Sequence, residues 1–133
     1  MNPLYPDTAR RAGHRCEYCH APEAAFNFPF EVEHITPTAS GGEVTSNNLA
    51  LACRSCNAFK AVREIGTDSE TQASVSLFHP RSDGWEDHFA IDPETLTVLG
   101  KTPTGRAAVI TLQMNSSAQL LARQQWRRLE LFP

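Results

Sequence analysis

The sequence lacks an excess of positive charge. Its 133 residues carry 12 Lys and Arg against 15 Asp and Glu, which gives a formal net charge of −3. A module that binds nucleic acid only by neutralising phosphates depends on positive charge, so this total counts against that class. The charges are segregated, because residues 67–100 hold seven acidic side chains and one Arg, whereas residues 101–133 hold five basic side chains and one Glu. A basic face is therefore compatible with the acidic total.

Long apolar runs are also lacking. No stretch approaches the ~18 apolar residues of a membrane helix, and no apolar run follows the N-terminal charges as it does in a signal peptide. We therefore expect a cytoplasmic protein without a membrane span. With 133 residues, of which 41% are hydrophobic, the chain predicts one domain or one domain with an appendage. Its core is modest, and an additional cross-link would stabilise it.

Cysteine is scarce, and its four residues fall into two pairs of identical spacing, Cys16-x2-Cys19 and Cys53-x2-Cys56. In a reducing compartment such pairs are typical of metal ligands rather than disulfides. Four thiolates around one ion form a closed tetrahedral zinc site without a position for water, so we assign this zinc to folding. The alternatives are buried cysteines without metal, or a redox dithiol, although the latter needs a single CxxC in a βαβ context.

Hydrophobic periodicity and turn residues predict the elements of the first half. A short helix is expected over residues 8–13, and alternation predicts a strand over residues 28–35. Pro37 and Gly41-Gly42 are expected to end that strand in a turn. Residues 46–48 would cap a helical turn over residues 49–52, followed by a helix over residues 54–65 that stops at Gly66.

The second half is expected to open with an exposed polar connection over residues 67–76. Residues 89–91 and 96–99 flank a turn-forming Asp92-Pro93-Glu94-Thr95 and predict a β-hairpin. Thr102-Pro103 has the sequence of a helix N-cap and first turn, with the helix running to about Met114. Ser116 or Ser117 would begin a last helix, whose expected apolar positions are Leu120, Leu121, Trp126, Leu129 and Leu131.

The stretch FEVEHITPTASGG…NNLALACRSCNAFK resembles the HNH endonuclease family, in the branch whose motif is framed by two zinc-binding CxxC pairs. The motif covers about residues 16–60, and LFHPRSDGWEDHF…GKTPTGRAAVITLQMN is similar to the C-terminal extension of small bacterial HNH proteins. The resemblance implies an α+β fold. A zinc-stapled ββα-metal, treble-clef-like core would cover residues 1–66, and a β-hairpin and two helices over residues 67–133 would pack on it.

Within this motif His34 is the candidate catalytic base. Hydrolysis of a phosphodiester needs a base that activates water, and imidazole commonly serves as a base near neutral pH. A lone strand histidine is usually an ordinary structural residue, but the Glu-His-Ile-x-Pro context favours catalysis. The resemblance implies an endonuclease that cleaves DNA, with RNA as an open alternative.

The resemblance further implies that Glu33 and Asn57 bind one catalytic Mg²⁺ or Mn²⁺, since both offer oxygen ligands. The family more often has Asp at the position of Glu33, and the longer side chain would alter ion preference. Asn57 could instead be a helix cap. Asn48 matches the middle asparagine of the motif, and we expect it to hold the turn and orient His34; Asn47, or a plain capping role, is the alternative. Adjacent strand residues face opposite sides, so the strand must twist or end at residues 33–34.

Nucleic-acid contacts are expected from basic side chains around the motif: Arg15, Arg54, Lys60 and Arg63. For each of them a solvated surface role is the alternative, and Arg54 points away from Arg63 on a helix. Trp126, Leu129 and Phe132 suggest a homodimer surface. Two other functions remain open, a zinc-stapled nucleic-acid-binding module without catalysis and a protein–protein adaptor.

Overall fold

Three antiparallel hairpins and five α-helices make up residues 2–133, the part of the chain that the computed structural model describes. The elements in chain order are α1 (Tyr5–Arg11), β1 (Glu31–His34), β2 (Leu49–Ala52), α2 (Arg54–Lys60), β3 (Ile65–Thr67), β4 (Ser74–Ser76), α3 (Trp85–His88), β5 (Phe89–Ile91), β6 (Val98–Gly100), α4 (Pro103–Thr111) and α5 (Ser117–Arg128). The predicted α+β class is confirmed. Within residues 2–133 no helix is both long and apolar enough to cross a membrane.

The first hairpin and the helix after it form a β1–β2–α2 unit. Strand β1 pairs with β2 from Glu31 opposite Ala52 to His34 opposite Leu49, and only Cys53 separates β2 from α2. The helical turn predicted over residues 49–52 is wrong, because those residues form β2 and all four are buried. A short apolar run that is buried on both faces has no periodicity that distinguishes a strand from a helix.

The helix predicted over residues 54–65 is also too long, since α2 ends at Lys60 and Ala61 has a positive φ of 48°. The chain then enters a second hairpin, in which Ile65 lies opposite Ser76. That hairpin lies in the region predicted as an exposed connection. Strand β3 runs across residue 66, where the sequence places the division between core and extension, and that division stays a prediction.

The turn of the second hairpin is fixed to helix α4 by a buried carboxylate. Arg106 Nε donates to Asp68 Oδ1 at 2.7 Å, and the Thr71 hydroxyl donates to Asp68 Oδ2 at 2.6 Å. The hydrogen bond from Arg106, supported by that from Thr71, holds the pKa of Asp68 below its ordinary value. This contact anchors a hairpin whose own strands are only three residues each.

Asp68→Asn is expected to lower the free energy of unfolding at pH 7 and to flatten its dependence on acid pH. Because the folded-state pKa is depressed, the stabilisation by the carboxylate is present above the unfolded-state pKa of about 3.9 and is lost as the pH falls below it. Urea denaturation of the parent and the variant between pH 3 and pH 7 measures both effects. Glu70→Gln is the control, since Glu70 lies 3.5 Å from Arg106 but is 69% exposed. Identical acid profiles for parent and Asp68→Asn would contradict the expectation.

The remaining C-terminal elements follow the sequence-based prediction closely. Strands β5 and β6 form the predicted hairpin, and Asp92 Oδ1 accepts hydrogen bonds from the amides of Glu94 and Thr95 in its turn. Thr102 caps α4 by accepting from the Gly105 amide, and Ser116 caps α5 by accepting from the Gln119 amide. Both predicted helix starts are confirmed.

The predicted apolar face of the last helix is wrong in part. Trp126 is buried as predicted, but Leu121 and Leu129 are exposed, and α5 buries Gln119 and Arg123 instead. A buried arginine is tolerated because its guanidinium donates to the carbonyl oxygens of Leu96 and Met114 at the ends of other elements. Trp126 and Phe132 pack on each other inside the chain. Of the residues proposed for a homodimer surface only Leu129 is exposed, and the homodimer stays a prediction.

One continuous apolar core joins the two halves of the chain. It runs from Ala9 and the four cysteines through Leu51 to Phe89, Val98 and Met114. Polar contacts cross the same boundary, among them Trp85 Nε1 donating to the Tyr18 carbonyl oxygen at 2.8 Å. The C-terminal elements therefore pack against the β1–β2–α2 unit and stabilise it.

Candidate active site and cysteine cluster

The four cysteines converge in one buried cluster. Their sulfur atoms all lie within 4.8 Å of one another, and the Sγ atoms of Cys19 and Cys53 are 3.8 Å apart. Four sulfurs at ~2.3 Å from one ion, at tetrahedral angles, are about 3.8 Å apart, so the cluster has the dimensions of a zinc site. All four are free thiols without a disulfide. The cluster can therefore hold a metal ion.

Each half of the cluster is attached to the first hairpin. The Glu17 amide donates to the Leu51 carbonyl oxygen at 2.9 Å, and Glu17 Oε2 accepts from the Leu51 amide at 2.8 Å. These reciprocal bonds fix the Cys16–Cys19 turn beside β2. On the other side Cys53 is the N-cap of α2, and its sulfur accepts from the Cys56 amide at 3.4 Å. A metal here would tie this turn, the hairpin and the helix start together.

Asn48 holds the loop that follows His34. Its side chain accepts from the Thr36 amide at 2.8 Å and donates to the carbonyl oxygens of Thr36 at 3.0 Å and Glu43 at 2.8 Å. The loop is so tight that a Cβ on Gly42 would overlap the Thr36 carbonyl oxygen. Asn48 is buried and Asn47 is exposed. Asn48, and not Asn47, therefore holds the loop. Asn48 does not line the cavity beside His34.

Asn48→Ala is expected to lower the free energy of unfolding by about 2–3 kcal/mol, because it breaks three hydrogen bonds and leaves loop amide and carbonyl groups unpaired. Asn47→Ala is the matched control, and its effect should stay within about 0.5 kcal/mol as for an exposed substitution. Urea denaturation of the zinc-loaded proteins measures the difference. Equal stabilities for the two variants would show that the loop does not depend on Asn48.

Glu33, His34 and Asn57 border one cavity of about 250 Å³ between β1 and α2, together with Val32, Pro37, Thr38, Ala61 and Val62. Both Glu33 and His34 border the cavity although both pair with β2 as adjacent residues of β1, which ends at His34. His34 Nε2 is buried and has no hydrogen-bond partner within residues 2–133. An unpaired buried nitrogen costs free energy, and such groups in native proteins commonly bind water or a ligand.

The Glu33 carboxylate is 5% exposed and is held from two sides. The Tyr18 hydroxyl donates to its Oε2 at 2.7 Å and its Oε1 at 3.1 Å. Lys60 Nζ lies 2.7 Å from Oε1 and also donates to the Ile35 carbonyl oxygen at 2.8 Å. Burial raises the pKa of Glu33, and the Lys60 ammonium opposes that rise. Glu33 and Lys60 thus form a buried ion pair, of which Glu33 borders the cavity.

The residues at the cavity fit a divalent cation with a largely aqueous coordination sphere. A carboxylate has about four lone-pair directions. The single Tyr18 hydroxyl proton is shared between both Glu33 oxygens and lies nearer Oε2, and the Lys60 ammonium lies at Oε1. These two donors do not use the whole capacity of the carboxylate, and Asn57, whose side chain carries an amide oxygen, borders the same cavity. Few protein oxygens and several waters are what Mg²⁺ prefers. The unpaired His34 nitrogen is a further polar group whose bonding capacity is unused within residues 2–133.

Residues 16–62 match the model of the HNH endonuclease family. The chain carries an HNH endonuclease domain. The resemblance seen in the sequence is thereby confirmed. The matched residues include the four cysteines and Glu33, His34 and Asn57. Neither the curated proteins nor the solved structures give a match to the chain.

The basic residues expected to contact nucleic acid divide into two groups around the HNH domain. Arg54 and Arg63 are exposed, and Arg54 borders a separate cavity beside Phe28. Arg15 donates to the carbonyl oxygens of His20 and Leu131 at 3.0 and 2.7 Å, and Lys60 is only 2% exposed. Lys60 is therefore engaged inside the protein, the half-buried Arg15 has two carbonyl partners, and the exposed Arg63 donates to the Phe59 carbonyl oxygen at 2.9 Å.

The sequence assigns no role to Tyr18, although its hydroxyl donates to Glu33, which borders the cavity. Its only sequence signal is its place between the ligand cysteines in Cys16-Glu17-Tyr18-Cys19. A residue inside such a turn is ordinarily a spacer, so the spacing of the cysteines alone does not predict a contact with Glu33.

Proposed function

We propose that this protein is a metal-dependent endonuclease that hydrolyses phosphodiester bonds in DNA. The observation that carries the proposal is that His34, whose Nε2 is buried and unpartnered within residues 2–133, borders the same cavity as Glu33 and Asn57. The cavity lies within the segment that matches the HNH endonuclease family. A free imidazole nitrogen beside two oxygen ligands is the set of groups that hydrolysis with one cation requires.

In this proposal His34 takes a proton from a water molecule, and the resulting hydroxide attacks phosphorus and displaces one ester oxygen of the DNA backbone. Glu33 and Asn57 would hold Mg²⁺ or Mn²⁺, and the ion would supply positive charge to the phosphate and the leaving oxygen. Asn48 acts at a distance, because its bonds to Thr36 and Glu43 fix the loop after His34.

Binding of the backbone falls first to the exposed Arg54 and Arg63, whose side chains are available to phosphates. Arg15 and Lys60 would have to exchange their present partners for phosphate oxygens, which makes their contribution smaller or dependent on substrate. With a net charge of −3, we expect binding to be weak and strongly dependent on salt.

We infer that the cysteine cluster binds a structural zinc. Four buried thiols with sulfur spacings suited to one tetrahedral ion support this assignment. Because all four positions are taken by sulfur, no position is left for water, and the zinc serves folding. The catalytic cation and the zinc are therefore two different ions in two different sites.

The proposal is tested with zinc-loaded protein and a panel of substrates: supercoiled and linear duplex DNA, single-stranded DNA and single-stranded RNA. Each is incubated with Mg²⁺, with Mn²⁺ or with EDTA at low salt. We expect phosphodiester cleavage of DNA with either ion and none with EDTA. Zinc-loaded protein that binds these substrates without cleaving any of them would instead support a nucleic-acid-binding module.

A further inference from the structure

The geometry points to Tyr18 as a positioning residue of the proposed cation site, one that holds the Glu33 carboxylate in its binding orientation. This inference rests on the proposed function. It adds a residue that the family match does not single out and that no sequence pattern assigns to the site. It also links the first cysteine pair to the cation site, because the turn that carries Cys16 and Cys19 places the Tyr18 hydroxyl against Glu33.

The Tyr18 side chain is fixed along its whole length. It is 1% exposed, its ring packs edge-on against Phe78 with 6.4 Å between centroids, and its own carbonyl oxygen accepts from Trp85 Nε1 at 2.8 Å. At the far end the hydroxyl reaches both oxygens of Glu33. A donor on so rigid a support restricts the carboxylate strongly.

Lys60 restrains the same carboxylate in a different way. Its ammonium lies 2.7 Å from Oε1 alone, so it neutralises the charge but leaves the carboxylate plane free to rotate about that contact. Tyr18 bonds to Oε2 as well, at 2.7 Å, and thereby sets the plane. The orientation of the Glu33 carboxylate, and with it the direction of its unused lone pairs, therefore depends on the hydroxyl.

In other metal sites, groups that hydrogen-bond to a metal ligand fix its orientation, and their removal typically lowers metal affinity about 10–100-fold. The hydroxyl of Tyr18 has this relation to Glu33. Since Tyr18 lies between two cysteines of the cluster, the position of the structural metal would be transmitted to the catalytic site through one side chain.

Tyr18→Phe removes the hydroxyl and keeps the ring. Binding of Mn²⁺ to zinc-loaded protein is measured by the loss of the free-ion electron paramagnetic resonance signal, without DNA. We expect the dissociation constant for Mn²⁺ to rise about 10–100-fold. In cleavage assays the Mn²⁺ concentration for half-maximal rate should rise in parallel, while the rate at saturating Mn²⁺ stays close to that of the parent.

Tyr5→Phe is the matched control. The Tyr5 hydroxyl donates to Glu23 Oε1 at 2.7 Å, so this variant loses the same kind of tyrosine–glutamate bond at a place that does not border the cavity. We expect its Mn²⁺ affinity to equal that of the parent. A general loosening of the fold would weaken binding in both variants, whereas a positioning role affects Tyr18→Phe alone.

The Glu33→Gln background provides a second measurement, a double-mutant cycle that separates an effect through Glu33 from a general loosening of the fold. Glu33→Gln should itself weaken Mn²⁺ binding, and adding Tyr18→Phe should then weaken it no further, because both changes act through one carboxylate. Equal Mn²⁺ affinities for parent, Tyr18→Phe and Tyr5→Phe, in a parent that cleaves DNA, would overturn the inference alone. A parent that neither binds Mn²⁺ nor cleaves DNA would overturn the proposed function and this inference with it.

Discussion

Cys56→Ser is expected to prevent zinc binding and, as a consequence, to abolish the cooperative unfolding transition of the protein. Structural zinc in small domains contributes an apparent ~10–16 kcal/mol at neutral pH, whereas whole domains are stable by only ~5–15 kcal/mol. The cysteine cluster lies inside the apolar core, so loss of the ion leaves unpaired polar groups where β2 and α2 meet. Zinc content by elemental analysis and urea denaturation followed by circular dichroism measure the two losses.

Ser55→Ala is the neighbouring control for this experiment. Ser55 lies on the same helix, and its hydroxyl accepts only from Gln119 at 3.3 Å, so we expect full zinc content and a nearly unchanged midpoint. A Cys56→Ser protein that unfolds like the parent, with or without zinc, would show that the cluster does not stabilise the fold.

His34→Ala is expected to reduce the rate of metal-dependent DNA cleavage by about 10²–10⁴-fold, the usual contribution of a general base. Zinc content and the unfolding midpoint should stay at the parent values, because His34 Nε2 makes no hydrogen bond within residues 2–133. Initial cleavage rates at saturating Mn²⁺ measure the effect on chemistry separately from that on metal binding.

His14→Ala serves as the matched histidine. Its imidazole is 59% exposed and pairs with Glu23, outside the cavity that His34 borders. We expect this variant to cleave DNA at the parent rate. Equal cleavage rates for His34→Ala and the parent would show that His34 is not the catalytic base.

Features set by short-range chemistry could be predicted from the sequence. Two CxxC pairs predict a converging cluster because two residues between ligands suit a shared ion, and the structure brings the four sulfurs together. Turn and cap residues predict the β5–β6 hairpin and the starts of α4 and α5 in the same local way. Strand β2 could not be predicted, since its Leu-Ala-Leu-Ala run fits a helix equally well until β1 pairs with it.

The polar interior of the site depends on contacts between distant parts of the chain, and these have no sequence signal. Glu33 and Lys60 are 27 residues apart and meet only because α2 packs on β1. For that reason a lysine with the pattern of a surface residue is buried beside a candidate metal ligand. Arg123 on α5 is a second example. The sequence predicts that leucines of this helix face the core, but Arg123 is buried there because its guanidinium donates to the carbonyl oxygens of Leu96 and Met114.

The most direct test of the central proposal is nicking of supercoiled plasmid by zinc-loaded parent and His34→Ala proteins side by side, with Mg²⁺, Mn²⁺ or EDTA. We expect the parent to convert plasmid to the nicked or linear form with either ion and not with EDTA, and His34→Ala to leave it supercoiled under all three conditions. Cleavage by both proteins at equal rates, or cleavage by the parent that persists in EDTA, would contradict metal-dependent hydrolysis at the His34 cavity.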